Sequence, residues 1–120
     1  MILVVDDDAD VREWMVDALT LRGHSVHAAG CGADALAQVW DFREIDTLVT
    51  DVNMPGMSGL DLVMEARKLR TSLAVIFVSG GPADAVFDSV FLEGLGALAL
   101  RKPFRIAELE EAIENARRRE

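Results

Sequence analysis

The sequence predicts a doubly wound α/β domain, (βα)5 in plan, with a parallel five-stranded sheet between two layers of helices. Two observations carry that prediction. Short runs of apolar and β-branched residues alternate with segments of helical periodicity, about five of each. The strand-like runs are also almost continuously apolar, as expected where helices cover both faces of a sheet. With 120 residues, 51% of them hydrophobic, the chain is long enough to bury the core of one such domain. Right-handed crossovers leave few topologies, and the usual five-stranded order is 2-1-3-4-5, the flavodoxin-like three-layer sandwich.

Met1 to Val5 reads as the first strand, ending abruptly in acids. Asp6 to Asp8 make a turn and helix start, with Asp8 suited to the N-cap. Val11, Met15, Ala18 and Leu19 then recur at helical spacing, and Gly23 supplies the stop. Ser25 to Ala29 is a short second strand. After the Gly30-Cys31-Gly32 turn, a helix from Ala33 to about Phe42 turns Ala35, Leu36 and Val39 inward. Thr47 to Thr50 is the third strand, ending on Asp51. Asn53 to Gly59 has the chemistry of an ordered loop, and Leu62, Val63, Ala66 and Leu69 form the apolar face of the third helix. Ala74 to Val78 is the fourth strand, stopped by Ser79-Gly80-Gly81-Pro82. A shorter helix with Val86, Phe87, Val90 and Phe91 leads to an aliphatic strand around Ala97 to Leu100, closed by Lys102-Pro103-Phe104. The last helix carries Ile106, Leu109, Ile113 and Ala116 on one side and acids near its start, which suits its dipole.

Composition removes several classes of function. Twelve basic against 21 acidic side chains give a net charge of -9, and the only basic run is Arg117-Arg118-Arg119, so direct nucleic-acid binding is disfavoured. No apolar run approaches the roughly 20 residues that cross a bilayer, and the N-terminus lacks the positive charge of a signal peptide. A cytoplasmic location is expected. Cys31 is alone, which excludes an intrachain disulfide and, with only two histidines, disfavours a zinc site. The acidic excess makes divalent cations and basic protein surfaces the plausible partners.

In this fold ligands sit beyond the carboxyl ends of the strands. Asp6 and Asp7 follow the first strand there, Asp51 the third, Ser79 the fourth and Lys102 the fifth. Carboxylates about 5 Å apart repel by roughly 3 kcal/mol per pair at an effective dielectric of about 20, so such a cluster calls for a cation. Hard oxygen ligands with room for water suit Mg²⁺ or Mn²⁺. Lys102 adds an ammonium and Ser79 a hydroxyl, each able to meet a phosphoryl oxygen. These are the parts needed to accept a phosphoryl group on a carboxylate.

The runs Val4-Val5-Asp6-Asp7-Asp8, Leu48 to Gly59 through Asp51-Val52-Asn53-Met54-Pro55-Gly56, Val78-Ser79-Gly80 and Lys102-Pro103-Phe104 closely resemble the response-regulator receiver domain of two-component signalling. The resemblance covers essentially the whole chain, with all four motifs in order. It implies that Asp51 accepts phosphate from a histidine kinase or phosphotransfer protein. Asp7 then resembles the direct metal ligand, Asp6 its partner through water, and Asn53 the residue lending a backbone carbonyl to Mg²⁺. Ser79 matches the switch hydroxyl, Lys102 the phosphate-sensing lysine and Pro103 the proline after a cis peptide. The family's face for partners or dimers is the fourth helix, fifth strand and fifth helix. Such a domain catalyses its own modification and turns over no outside substrate.

Several of these residues also have a structural reading. Asp8 and Asp10 read as an ordinary helix N-terminus. The Asp6, Asp8, Asp10 spacing mimics a calcium loop, but Val11 stands where that loop needs glycine. The same spacing resembles haloacid-dehalogenase-type phosphatases, except that Asp10 replaces their Thr or Val; this is the enzyme alternative. A pseudo-receiver that only binds protein is the other, although it would be expected to have lost carboxylates or the lysine. Phe87 and Phe91 read as packing residues, and His24 and His27 as surface or packing residues. Cys31 carries no sign of activation.

One position departs from the resemblance. The place of the family's aromatic switch residue falls on Ala99, between Leu98 and Leu100. A subtler rearrangement of the fourth helix and fifth strand is expected instead. Gly80 and Gly81 leave the site open to water, which predicts a short-lived phosphoryl state. The expected organisation is a single receiver domain over 1–120 with no output domain. It is either a stand-alone regulator or part of a larger protein such as a hybrid histidine kinase; the aliphatic strand before Arg101-Lys102-Pro103-Phe104 resembles those of hybrid kinases, and that resemblance leans slightly to the latter.

Overall fold

β1 (Ile2–Val5) is buried on both faces, and its successive side chains enter two different cores. The computed structural model describes residues 1–81 and 88–118. In it β1 is followed by α1 (Ala9–Leu21), β2 (Val26–Ala29), α2 (Gly32–Asp41), β3 (Thr47–Asp51) and α3 (Gly59–Leu69). β4 (Ala74–Ser79), α4 (Ser89–Leu95), β5 (Ala97–Arg101) and α5 (Ile106–Arg118) complete the described chain. All strand pairs are parallel and the order is β2-β1-β3-β4-β5, as the sequence predicts.

The pleat sorts the core. Leu3, Val5, Leu48, Val75 and Phe77 pack with Ala35 and Val39 of α2 and Leu62, Val63 and Ala66 of α3. Ile2, Val4, Val49, Ile76 and Val78 pack on the other face with Met15 and Leu19 of α1 and Leu109, Ile113 and Ala116 of α5. Fully burying a side chain such as Phe77 contributes about 1.5–3 kcal/mol. The chain steps outward from β1 to β2, then crosses back past β1 to β3. Right-handed crossovers therefore place α1 and α2 on opposite faces, and the loops after β1 and β3 diverge to leave a crevice at the carboxyl ends.

Helix ends follow local chemistry. Asp8 caps α1 by accepting from the backbone N–H groups of Asp10 (2.9 Å) and Val11 (3.3 Å). Gly23, at φ +92°, ends it as predicted, donating to the Thr20 carbonyl while His24 donates to that of Leu19. Two inward assignments differ. Leu69 is 41% exposed because α3 ends there, and Val90 is 77% exposed because the short α4 packs through Phe91, Leu92 and Leu95 instead. Phe91 thus has the expected packing role, whereas Pro82, Val86 and Phe87 lie outside the described residues.

Candidate functional site

The carboxyl rim of the sheet gathers the predicted residues. Val5 of β1 pairs with Thr50 of β3, so Asp6 and Asp51, one residue further along each strand, emerge side by side. Asp51 and Ser79 are the last residues of their strands, where the sequence reading put them just beyond. Asp7 lies exposed on the turn into α1. Asp6, Asp7 and Asp51 each bring one carboxylate oxygen to within 4.8 Å of the others.

Asp6 is fully buried, which a carboxylate tolerates only with partners. One oxygen accepts from the Asp8 backbone N–H at 2.9 Å and the other from Lys102 Nζ at 3.0 Å. The Arg12 guanidinium donates to the Asp6 carbonyl at 2.7 Å and so pins α1 to the end of β1. Lys102 Nζ also lies 3.4 Å from Asp51 Oδ2, placing one ammonium between two carboxylates. Burial holds the Asp51 carboxyl above its ordinary value, and repulsion from Asp6 adds to this. Lys102 and a hydrogen bond from the Asn53 backbone oppose the rise without cancelling it. Burial pulls the Lys102 ammonium down, but its hydrogen bonds and attraction to Asp6 and Asp51 outweigh that and raise it overall. The ammonium therefore stays charged.

Backbone geometry fixes the surroundings of Asp51. The Thr50 hydroxyl donates to the Asp51 carbonyl at 2.9 Å. Gly59, the first residue of α3, donates its N–H to the Val52 carbonyl at 2.9 Å, and a Cβ there would overlap the Asp51 carbonyl oxygen. Ser79 is 1% exposed, and its hydroxyl accepts from the Gly81 N–H at 3.1 Å. Lys102 donates its own N–H to the Ser79 carbonyl at 2.9 Å, and the Lys102–Pro103 peptide is cis, as the resemblance implied. Asn53 is exposed, two residues past Asp51. Ala99 pairs with Phe77 and packs on the α4 side with Phe91, Leu92 and Leu95, whereas Leu98 and Leu100 face the other core. Of those three positions, Ala99 is therefore the one that faces α4.

Other sequence candidates stay outside the site. Asp8 is a helix cap. His24 Nε2 lies 2.8 Å from Glu110, which also pairs with Arg22 at 2.6 Å. His27, inside β2, meets Gln38 at 3.2 Å and the Phe42 ring edge-on. Cys31 is the residue before α2 and makes no side-chain cap. Sequence reading missed Arg12, Thr50 and Gly59, and also an apolar cleft of about 490 Å³ beside Lys102, lined by Val11, Trp14, Pro103 and Phe104. The Trp14 and Phe104 rings stack at a tilt, 5.6 Å apart.

Three hard carboxylate oxygens, one of them on an exposed residue, suit a small divalent cation that keeps some of its water. No thiolate or imidazole joins the set, so its chemistry fits Mg²⁺ or Mn²⁺ and not zinc.

Comparison with known proteins agrees with this geometry. The family model of the response regulator receiver domain matches residues 2–114. The chain is 38% identical over 118 residues to the sensor kinase CckA of Brucella abortus, covering 94% of this chain and 12% of that protein. It is 35% identical to the DNA-binding transcriptional regulator NtrC of Azospirillum brasilense, covering 96% of this chain and 24% of that one. A crystal structure of a response regulator receiver domain protein from Clostridium thermocellum superposes with a TM-score of 0.87 at 31% identity, covering 98% of this chain and 94% of that one. The chain belongs to the response regulator receiver domain family, the phosphorelay modules of two-component signal transduction. It spans only a small part of the curated relatives just named. Neither the phosphatase nor the pseudo-receiver alternative is favoured. Among the described residues no helix is long and apolar enough to cross a membrane.

Proposed function

We propose that Asp51 is the phosphoacceptor of this receiver, taking its phosphoryl group from a phosphohistidine on a histidine kinase or phosphotransfer protein. The observation that carries the reading is the convergence of Asp6, Asp7 and Asp51, with the Lys102 ammonium held between Asp6 and Asp51. An Asp51 oxygen attacks phosphorus as the donor imidazole leaves. Lys102, already 3.4 Å from Asp51, re-pairs with an oxygen of the transferred group, and the Ser79 hydroxyl donates to the same group. Asp6, Asp7, Asp51 and the Asn53 backbone carbonyl are the proposed holders of Mg²⁺ or Mn²⁺. When bound, that ion supplies positive charge against the phosphoryl oxygens. The cleft of Trp14 and Phe104 gives a donor protein apolar ground beside Lys102.

The chemistry is self-modification followed by hydrolysis, without an outside substrate. Gly80 is exposed at the rim and adds no side chain to bar water, so the phosphoryl group is short-lived; a half-life of many hours would contradict this. The signal leaves through α4, β5 and α5 in the cytoplasm, toward a downstream protein or a second copy. The chain acts as one receiver domain over 1–120, either as a stand-alone regulator or within a larger protein such as a hybrid histidine kinase; its relatives include both a sensor kinase and a transcriptional regulator. Phosphoaspartate is an acyl phosphate, so borohydride reduction after treatment with acetyl phosphate and Mg²⁺ converts the modified residue to homoserine. Peptide mapping is expected to find homoserine at position 51, and homoserine at another aspartate would overturn the assignment.

A further inference from the structure

At Asp6 the chain leaves the sheet. Its N–H still donates to the Ala29 carbonyl at 3.3 Å, but Asp6 lies past the last residue of β1 and is fully buried, so its own carbonyl needs a partner from elsewhere. α1 supplies one. Helix side chains slant back toward the amino end, and Arg12, in the first turn after the Asp8 cap, reaches over the helix start to donate from Nη1 to that carbonyl at 2.7 Å. The same nitrogen lies over Gly30 in the turn after β2, where an added Cβ would stand 3.1 Å from it.

This arginine does not act as a counter-ion. Asp6, Asp7 and Asp51 converge at this rim, yet their ion pairs are made by Lys102, and Arg12 makes none among the described residues. Its bond goes to a backbone oxygen instead. Asp7, in turn, is exposed, and its carboxylate has no hydrogen bond or ion pair among the described residues, although it brings an oxygen within 4.8 Å of those of Asp6 and Asp51. No side-chain partner holds it there. The backbone does: a peptide is planar, so a bond on the Asp6 carbonyl fixes the plane from which the Asp7 Cα departs.

We propose that Arg12 is a positioning residue of the divalent-cation site, holding the Asp6–Asp7 peptide so that the Asp7 carboxylate is kept beside those of Asp6 and Asp51, a role that rests on these three being the holders of Mg²⁺. Charge and position make opposite predictions here. A guanidinium beside a cation site repels the cation, so if Arg12 acted only through its charge, removing it would tighten Mg²⁺ binding. Because it holds the peptide, removing it loosens binding, as does loss of other groups that orient metal ligands.

The test is titration of the full chain with Mg²⁺ at fixed ionic strength, read from the carboxyl carbon signals of Asp6, Asp7 and Asp51. Arg12→Met keeps the apolar stem and removes both charge and donors. It is expected to raise the dissociation constant about tenfold, and Arg12→Gln, with a shorter side chain, to act in the same direction. Arg12→Lys, which can still donate to the carbonyl, is expected to bind more tightly than either. In metal-free protein the amide coupling constant of Asp7, which reports its φ, is expected to change in the neutral variants while that of Val49 inside β3 does not. Unchanged or tighter Mg²⁺ binding in the neutral variants, an unchanged Asp7 coupling, or Arg12→Lys binding no better than Arg12→Met overturns the proposal and leaves the metal site standing. If Mg²⁺ moves none of these carboxyl signals in the wild-type chain, the assignment of the site fails and the proposal with it.

Discussion

Lys102 is the residue on which the site's electrostatics turn. Its ammonium lies 3.0 Å from Asp6 and 3.4 Å from Asp51, so it offsets the repulsion that packing two carboxylates at the end of a sheet creates. Burial raises the Asp51 carboxyl while Lys102 holds it down, so Lys102→Ala is expected to raise it further in metal-free protein. Carboxyl carbon titration of Asp51 checks this, and an unchanged midpoint would show that the ammonium does not act on Asp51. Adding Mg²⁺ to the wild-type protein is expected to move the same midpoint down, because a cation favours the ionised form. This cluster was legible in the sequence because each member follows an apolar run, and the fold places all such positions on one rim. Arg12 and Thr50 were not legible. Each acts on a backbone carbonyl, Arg12 on that of Asp6 and Thr50 on that of Asp51, and nothing in the sequence marks which carbonyls need a partner.

At the scale of the element, the start of α3 and the β5–α4 contact decide how the site is held and how it communicates. Gly59 lets the first turn of α3 lie against the Asp51 backbone. Gly59→Ala drives a Cβ into the Asp51 carbonyl oxygen, and is expected to cost about 1–3 kcal/mol in urea unfolding and to lower phosphorylation of Asp51 as well. Wild-type stability in that variant would mean that the approach is looser than described. Ala99 leaves no ring on β5 to swing, while Phe91, Leu92 and Leu95 of α4 pack on its side of the sheet. Phosphorylation is therefore expected to shift backbone amide signals from Val90 to Leu100, and unchanged signals there would remove this route to the surface. The helices themselves were readable from their spacing. Leu69 and Val90 were misplaced because periodicity marks a helix face without showing where the neighbouring layer stops.

At the scale of the whole molecule, the reversal between β1 and β3 creates the crevice, and long-range ties at the opposite edge close the sandwich. Arg117 of α5 donates to Thr47 at 2.9 Å and pairs with Asp46 at 3.0 Å, fastening the last helix to the entry of β3. Burial works against the Asp46 anion, but Thr47, Arg117 and the N-terminal ammonium outweigh it and hold the carboxyl below its ordinary 3.8. A folded-state value below the unfolded one gives stability that is present above that ordinary value and lost as pH falls through the lowered one. The urea midpoint is thus expected to fall on acidification through this range, and Asp46→Asn to flatten part of that fall. The effect is small because both partners reach solvent. An identical pH profile in the variant would remove Asp46 from the account.

Phosphorylation of Asp51 is the claim on which the functional reading stands. Intact mass after incubation with acetyl phosphate and Mg²⁺, beside Asp51→Asn and a sample with EDTA, tests it most directly. The account predicts a gain of one phosphoryl group in the wild-type protein that is lost in both controls. A gain that survives Asp51→Asn, or no gain in folded, Mg²⁺-bound protein, would contradict it.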